Sequence, residues 1–335
     1  MRTKSIRRVI AVASALLVLA ACGSGDDSAT SASATGAEGG GDGDLVTVGF
    51  VAVGPEGAWR QANEQNMQET FTTEAGFDLK YAPAANLDQN SQIAAFTSFV
   101  DEGVDVILLS ATEGSGWEDS LRRAQEAEIP VILIDRGIEP DDTSLYVTRI
   151  APDNFEVSAS VAEWAMSEFP DGMRYYVLEG PPGVSVVNER NEGWDATIGD
   201  RSEYEKVGAQ TANWSTEEAK SVFETVLRAN DDIDFVFAQN DEMGLGAAQA
   251  VEEAGLVPGE DVKIATIDGT RNALQALADG RLNFVAEYNP LFGETALEVV
   301  NSVLAGEEVE PYIIVPSLTF DSPEAAKEAL PDRKF

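Results

Sequence analysis

Several strand-like runs of this sequence stop at side chains that form strong, directional hydrogen bonds. The clearest is Val131-Ile132-Leu133-Ile134, which ends in Asp135-Arg136-Gly137: a carboxylate, a guanidinium and a turn-permitting glycine. The same grammar places Glu56, Trp59 and Arg60 after the first run, and Glu179 after another, with Arg190 in the helix that follows. Later runs end at Asn240 with Asp241, at Asp268 with Gly269, and at Glu287. Carboxylates accept hydrogen bonds, guanidinium groups donate them and Asn does both, the charge-assisted bonds being the stronger. An indole adds a flat apolar wall of the kind that fits the C–H face of a sugar ring. The set suits a polyhydroxylated ligand. Each member also has a plain structural reading. Asn240 and Asp268 stand where helix N-caps belong, and Asp135 and Arg136 can pair with each other. Trp59 can pack into a core, and Arg190 can lie on a solvated helix face. Their coincidence at strand ends favours binding.

Composition removes other chemistry. The chain has no histidine, which excludes Ser-His-Asp catalysis, His-ligated zinc and imidazole pH sensing. Its one cysteine, Cys22, leaves no disulfide framework and no thiol chemistry in the body of the protein. A formal charge of −37, from 22 basic and 59 acidic residues, argues against nucleic acid or an anionic membrane surface as partner of the folded part. No phosphate-binding loop motif occurs, and Gly244-Leu245-Gly246 falls within an expected helix without the third glycine of a dinucleotide fingerprint. No cofactor and no metal site is expected. The enzyme alternative rests on paired carboxylates such as Asp135 and Glu287, which can serve glycoside hydrolysis, although acids are abundant here.

These strand ends need elements to hold them. With 335 residues, the chain exceeds the size at which one core keeps growing, so two domains are expected. Strand-like runs at 45–53, 77–81, 104–109, 131–134 and 145–150 alternate with helical stretches at 59–75, 89–102 and 117–127. A second series has helices at 154–169, 184–197, 216–228, 242–254 and 271–277, between strands at 175–178, 204–210, 235–238, 262–267 and 283–287. Such alternation predicts an α/β fold of two doubly wound lobes, each a parallel sheet covered on both faces. A late helix at 292–304 and strand at 312–315 are expected to return to the first lobe. The expected lobes are 45–150 plus 289–318 and 151–288 plus 319–335, joined by a hinge of several crossings.

The amino terminus reads as an address. Residues 1–21 carry Arg2, Lys4, Arg7 and Arg8 and then a short apolar run, the pattern of an exported signal. Leu19-Ala20-Ala21-Cys22-Gly23 resembles the bacterial lipobox, which implies lipidation of Cys22. Residues 22–44, rich in Gly, Ser, Ala, Thr and Asp, read as a flexible tether. The expected location is outside the cytoplasm, on the outer face of the cell membrane, held by lipid alone.

Together the motifs resemble the type I periplasmic sugar-binding proteins of ABC importers, and within them the galactofuranose-binding branch. The resemblance is carried by Val48-Gly49-Phe50, Gly57-Ala58-Trp59-Arg60, Gly116-Trp117-Glu118 and Ile134-Asp135-Arg136. It continues through Ala151-Pro152-Asp153-Asn154, Asn240-Asp241-Glu242-Met243 and Ile267-Asp268-Gly269. It implies the periplasmic binding protein type I fold, and sugar contacts from Trp59, Arg60, Asp135, Arg136, Arg190, Asn240 and Asp268, with Glu56 and Glu287 added. Pro55 and Ala58 alter the first loop and Pro181-Pro182 stiffens the turn before Arg190, departures that leave the sugar and its ring form open. The implied protein is a monomer and not an enzyme: its lobes close on a monosaccharide and present it to an ABC permease and its ATPase. A sensory role feeding a chemoreceptor or sensor kinase fits equally well. A repressor role does not, because no basic helix-turn-helix precedes Leu45.

Overall fold

The computed structural model describes residues 45–335; the expected signal, the tether and Cys22 lie outside them. The first sheet takes β1 (Val46–Ala52), β2 (Phe77–Pro83), β3 (Val106–Leu109), β4 (Val131–Ile134) and β5 (Thr148–Ala151). The second takes β6 (Met173–Glu179), β7 (Tyr204–Thr211), β8 (Phe235–Ala238), β9 (Lys263–Asp268) and β10 (Phe284–Glu287). The chain then returns to place β11 (Tyr312–Ile314) in the first sheet, and crosses again to place β12 (Thr319–Phe320) in the second. The strand orders are β11-β5-β4-β3-β1-β2 and β12-β10-β9-β8-β6-β7. All pairings are parallel except β10 with β12.

Helices fill the crossovers: α1 (Ala58–Thr70), α2 (Gln89–Glu102) and α3 (Glu118–Glu126) in the first lobe. The second lobe has α4 (Asn154–Glu168), α5 (Ser185–Ile198), α6 (Thr216–Ala229), α7 (Asp241–Glu253) and α8 (Arg271–Ala278). α9 (Gly293–Leu304) belongs to the returning segment and α10 (Pro323–Ala329) ends the chain. Strands β3, β4, β8 and β10 are buried at every position, as sheets covered on both faces require. One apolar cluster contains Phe50, Val106 and Ile132 of the first sheet together with Tyr175, Phe235 and Ile267 of the second. The returning α9 joins it through Phe292, whose ring meets Trp59 edge-on at 6.0 Å between centroids. Among the described residues, no helix is long and apolar enough to cross a membrane.

The two-lobed α/β architecture is the one the alternation predicts. Its last elements were not anticipated. β12 is two residues long, too short to show a period, while α10 carries a start signal in Ser322, whose side chain accepts from Ala325 N, followed by Pro323 at the first turn. The fifth strand also starts later than expected, at Thr148, because Leu145 N donates to Asp142 O in a turn. The glycines of Gly244-Leu245-Gly246 serve packing. A Cβ at Gly244 would collide with Thr266 Cγ2 of β9, and one at Gly246 with the carbonyl oxygen of Thr216 in α6.

Candidate functional site

On the first lobe the site is built from a line of alternating charges. Arg60, in the first turn of α1, pairs with Asp135 and also donates to Ser110 Oγ at 3.2 Å and Asn63 Oδ1 at 3.3 Å. Arg136 pairs with Glu56 and donates to the carbonyls of Ala111 at 3.4 Å and Thr112 at 3.3 Å. Asp135 sits just beyond β4 with φ 68°, held there by its own N–H to Ile150 O at 2.8 Å. A non-glycine residue in that region is strained, and here the strain turns the carboxylate between two guanidinium groups. Burial alone would raise the Asp135 pKa. The nearby Arg60 and Arg136 charges, with hydrogen bonds from Arg60 and Tyr288, overcome it and hold the carboxyl below its ordinary value.

On the second lobe, Arg190 of α5 donates through Nε to Asn154 Oδ1 at 3.0 Å and through Nη1 to the carbonyl of Gln239. Its guanidinium lies 4.8 Å from the Tyr288 ring centroid, 5.7 Å from that of Trp214 and 3.7 Å from Asp268 Oδ1. Asn240 is the N-cap of α7, with Oδ1 accepting from Met243 N at 2.9 Å, and its Nδ2 donates to Glu242 at 2.8 Å. The capping reading and the cavity-lining position therefore coexist at Asn240. Asp268 is not a cap, since Thr270 caps α8. Burial pushes the Asp268 pKa well up; Arg190 opposes this and the acids Asp241, Glu242 and Asp135 add to it.

Tyr288, just after β10, closes the floor between the lobes. Its hydroxyl donates to Asp135 Oδ1 at 2.8 Å and accepts from Asn154 Nδ2 at 3.0 Å, while its carbonyl accepts from Trp59 Nε1. The lobes also meet beside the site. Gly137 N donates to Ser185 Oγ at 2.9 Å, Gly114 N to Gly183 O at 3.1 Å, and Arg149 to both Glu189 oxygens at 2.6 and 3.0 Å. The cleft is closed around a cavity with about 400 Å³ of atom-free space, its mouth included.

Glu56, Trp59, Arg60, Asp135, Arg136, Arg190, Asn240 and Asp268 all line this cavity. Glu287 does not. Its carboxylate pairs with Arg333 and accepts from Leu318 N at 3.0 Å, tying the carboxyl-terminal segment to β10. Successive strand residues face opposite sides, so the cavity receives Tyr288 in its place. Tyr288, Trp214, Val186, Glu242 and Gly57 complete the lining; the last two stand in motifs quoted above, and none of the five is among the expected contacts. Trp214 follows β7 by a short turn, so the same strand-end rule, extended a few residues, points to it. Asp241 accepts from Thr266 Oγ1 at 2.6 Å and from Thr270 N and Oγ1 at 2.6 and 2.8 Å, a brace between α7 and the end of β9.

Three donors on lining residues make no hydrogen bond within the protein: Arg60 Nε, 3.9 Å from Glu56 Oε2, Arg136 Nε, 3.8 Å from Asp135 Oδ2, and Trp214 Nε1, each buried. Unpaired buried donors carry a desolvation cost that a bound acceptor removes. Among the described residues, no group of three or more His, Cys, Asp or Glu side chains is arranged to hold a metal. The arrangement can therefore grip a neutral, hydroxyl-rich molecule from two sides at once, with rings of Trp59, Trp214 and Tyr288 against its apolar faces.

The family described as periplasmic binding protein domain matches residues 48–308. A fructose import binding protein of Bifidobacterium longum is 49% identical over 96% of this chain and 95% of its own length. A galactofuranose-binding protein of Escherichia coli is 34% identical over 86% of this chain and 92% of its own. A Mycobacterium smegmatis protein solved in complex with β-D-fucofuranose superposes with a TM-score of 0.82 at 38% identity, covering 86% of this chain and 95% of that one.

Proposed function

The chain belongs to the periplasmic binding protein domain family and is a sugar-binding protein of the ABC-importer type, and we propose that it binds a monosaccharide in furanose form between its lobes. The observation that carries the reading is the convergence of Arg60, Asp135 and Arg136 from one lobe with Arg190, Asn240 and Asp268 from the other around one cavity. A sugar's ring and hydroxyl oxygens accept from the guanidinium groups of this lining, and its hydroxyls donate to Asp135, Asp268 and Asn240. The furanose form is supported by the sugars for which the relatives are named: galactofuranose, fucofuranose, and fructose, a ketose that readily forms a five-membered ring.

Ligand held by both lobes stabilises the closed form by its differential affinity, and the closed form is what a permease and its ATPase receive. The chain passes between the sheets three times, at the β5–α4, β10–α9 and β11–β12 connections, which act as the hinge. Lipid on Cys22 and the tether at 22–44 keep the protein at the outer face of the membrane, and the sugar is released unchanged.

Thermal unfolding against D-fructose, D-galactose, L-arabinose, D-fucose and D-ribose tests the reading. Ligand at 100 times its Kd stabilises the native state by about 2.7 kcal/mol, which shifts the midpoint by several degrees. A rise with at least one of these sugars, recovered intact afterwards, is expected. Unmoved midpoints across the panel, or chemical conversion of the sugar, would overturn it.

A further inference from the structure

We infer that Glu242 is a positioning residue that caps α1, the helix carrying Trp59 and Arg60, from the opposite lobe when the cleft is closed. The inference rests on the sugar-binding reading above and gives Glu242, which also lines the cavity, a role that acts through α1. α1 is the helix whose first turn carries Trp59 and Arg60, and its own cap is missing. Gly57 occupies the N-cap position, no side chain of the helix supplies a cap and its first turn contains no acid. Such an end leaves N–H groups without acceptors and a partial positive charge uncompensated.

The compensation comes across the cleft. Glu242, in the first turn of α7, accepts from Ala58 N through Oε1 at 2.9 Å and from Asn240 Nδ2 through Oε2 at 2.8 Å. Asn240 in turn caps α7 itself. One carboxylate therefore joins the amino-terminal ends of two helices from opposite lobes. The bare Gly57 belongs to the same device, because a Cβ there would stand 2.8 Å from Glu242 Oε1. A side chain at position 57 would crowd the end of the Glu242 side chain, and this sequence has glycine there. Opening the cleft uncaps α1 and loosens the helix that presents Trp59 and Arg60. Closing restores it whatever sugar is bound.

A residue that acts on closure weakens all ligands by one factor, whereas a ligand contact discriminates between them. The test measures Kd by calorimetry for wild type, Glu242→Gln and Glu242→Ala in the full chain, with two sugars from the panel. The Ala variant is expected to bind about tenfold more weakly, the size of a lost N-cap, and by the same factor for both sugars. The Gln variant, which keeps an amide oxygen for Ala58 N, is expected to lose less. If the Ala variant fails to fold, the Gln variant carries the same comparison. Unchanged affinity, or a loss confined to one sugar, overturns the inference. If wild type binds none of the sugars, the functional reading fails and the cap is decided by hydrogen exchange. An Ala58 amide exchanging at least tenfold more slowly in wild type than in Glu242→Ala supports it, and equal rates reject it.

Discussion

At the scale of single residues, the cavity is lined by charged groups at strand ends and by the rings of Trp59, Trp214 and Tyr288. Asp135, Arg136, Asn240 and Asp268 end apolar runs, and parallel strands buried on both faces make such ends visible in sequence. What a run does not reveal is the side to which its last residue points. Glu287 and Tyr288 are neighbours at the end of β10, yet one turns to Arg333 and the other to Asp135. Trp214 was hidden for another reason: it stands in a turn with φ 59°, outside any periodic pattern, where its ring lies so close to Gly180 that a Cβ there would collide with it. Its Nε1 has no acceptor in the protein, so its value should appear only with ligand. Trp214→Phe keeps an aromatic ring and removes that donor. A neutral hydrogen bond contributes roughly 0.5–1.5 kcal/mol, so Kd should rise about three- to tenfold. Calorimetry showing wild-type affinity in this variant would remove Trp214 from the sugar contacts.

At the scale of elements, long buried strands and their helices follow from composition, while the carboxyl-terminal elements depend on partners far away in sequence. β12 and α10 are held to the second lobe by contacts that no local pattern announces. Arg333 pairs with Glu287 and lies 5.0 Å from the Phe320 ring centroid and 4.6 Å from that of Phe335, while Arg271 N donates to Phe335 O at 2.7 Å. Both members of the Glu287–Arg333 pair are almost fully buried. Removing one partner of such a pair strands the other charge and costs about 3–5 kcal/mol. Arg333→Ala should therefore lower the unfolding midpoint by many degrees while leaving sugar affinity within about twofold of wild type, since neither residue lines the cavity. Calorimetry of the folded variant and denaturant unfolding separate the two effects. A large loss of affinity at unchanged stability would return Glu287 to the binding site.

At the scale of the whole molecule, closure works against charge. The chain carries a formal −37, and the closed cleft brings acids of the two lobes towards each other with a neutral ligand between them. Burial raises the pKa of Asp268 well above its ordinary value, with Asp135 of the other lobe adding to the rise. Burial also raises that of Glu242, with Glu56 across the cleft contributing and the Ala58 N–H opposing. Asp241 behind them is also pushed up, to about 7, by burial within its own lobe against the hydrogen bonds from Thr266 and Thr270, so its shift does not depend on closure. A carboxyl whose pKa is raised in the closed form holds more protons there than in the open or unfolded form. Its contribution is complete below its open-form pKa and is lost as pH rises through the closed-form value. Asp135, whose pKa is lowered, has the opposite sign but titrates below the ordinary carboxylate range, away from neutral pH. Sugar binding should therefore take up protons and strengthen as pH falls through the raised closed-form range of Asp268 and Glu242. Calorimetry in two buffers of different ionisation enthalpy reads the proton uptake directly. In Asp268→Asn, a neutral stand-in for the protonated acid, the pH slope should flatten. Proton release on binding, or a slope that this substitution leaves unchanged, would place the acids of the cleft outside the closing equilibrium.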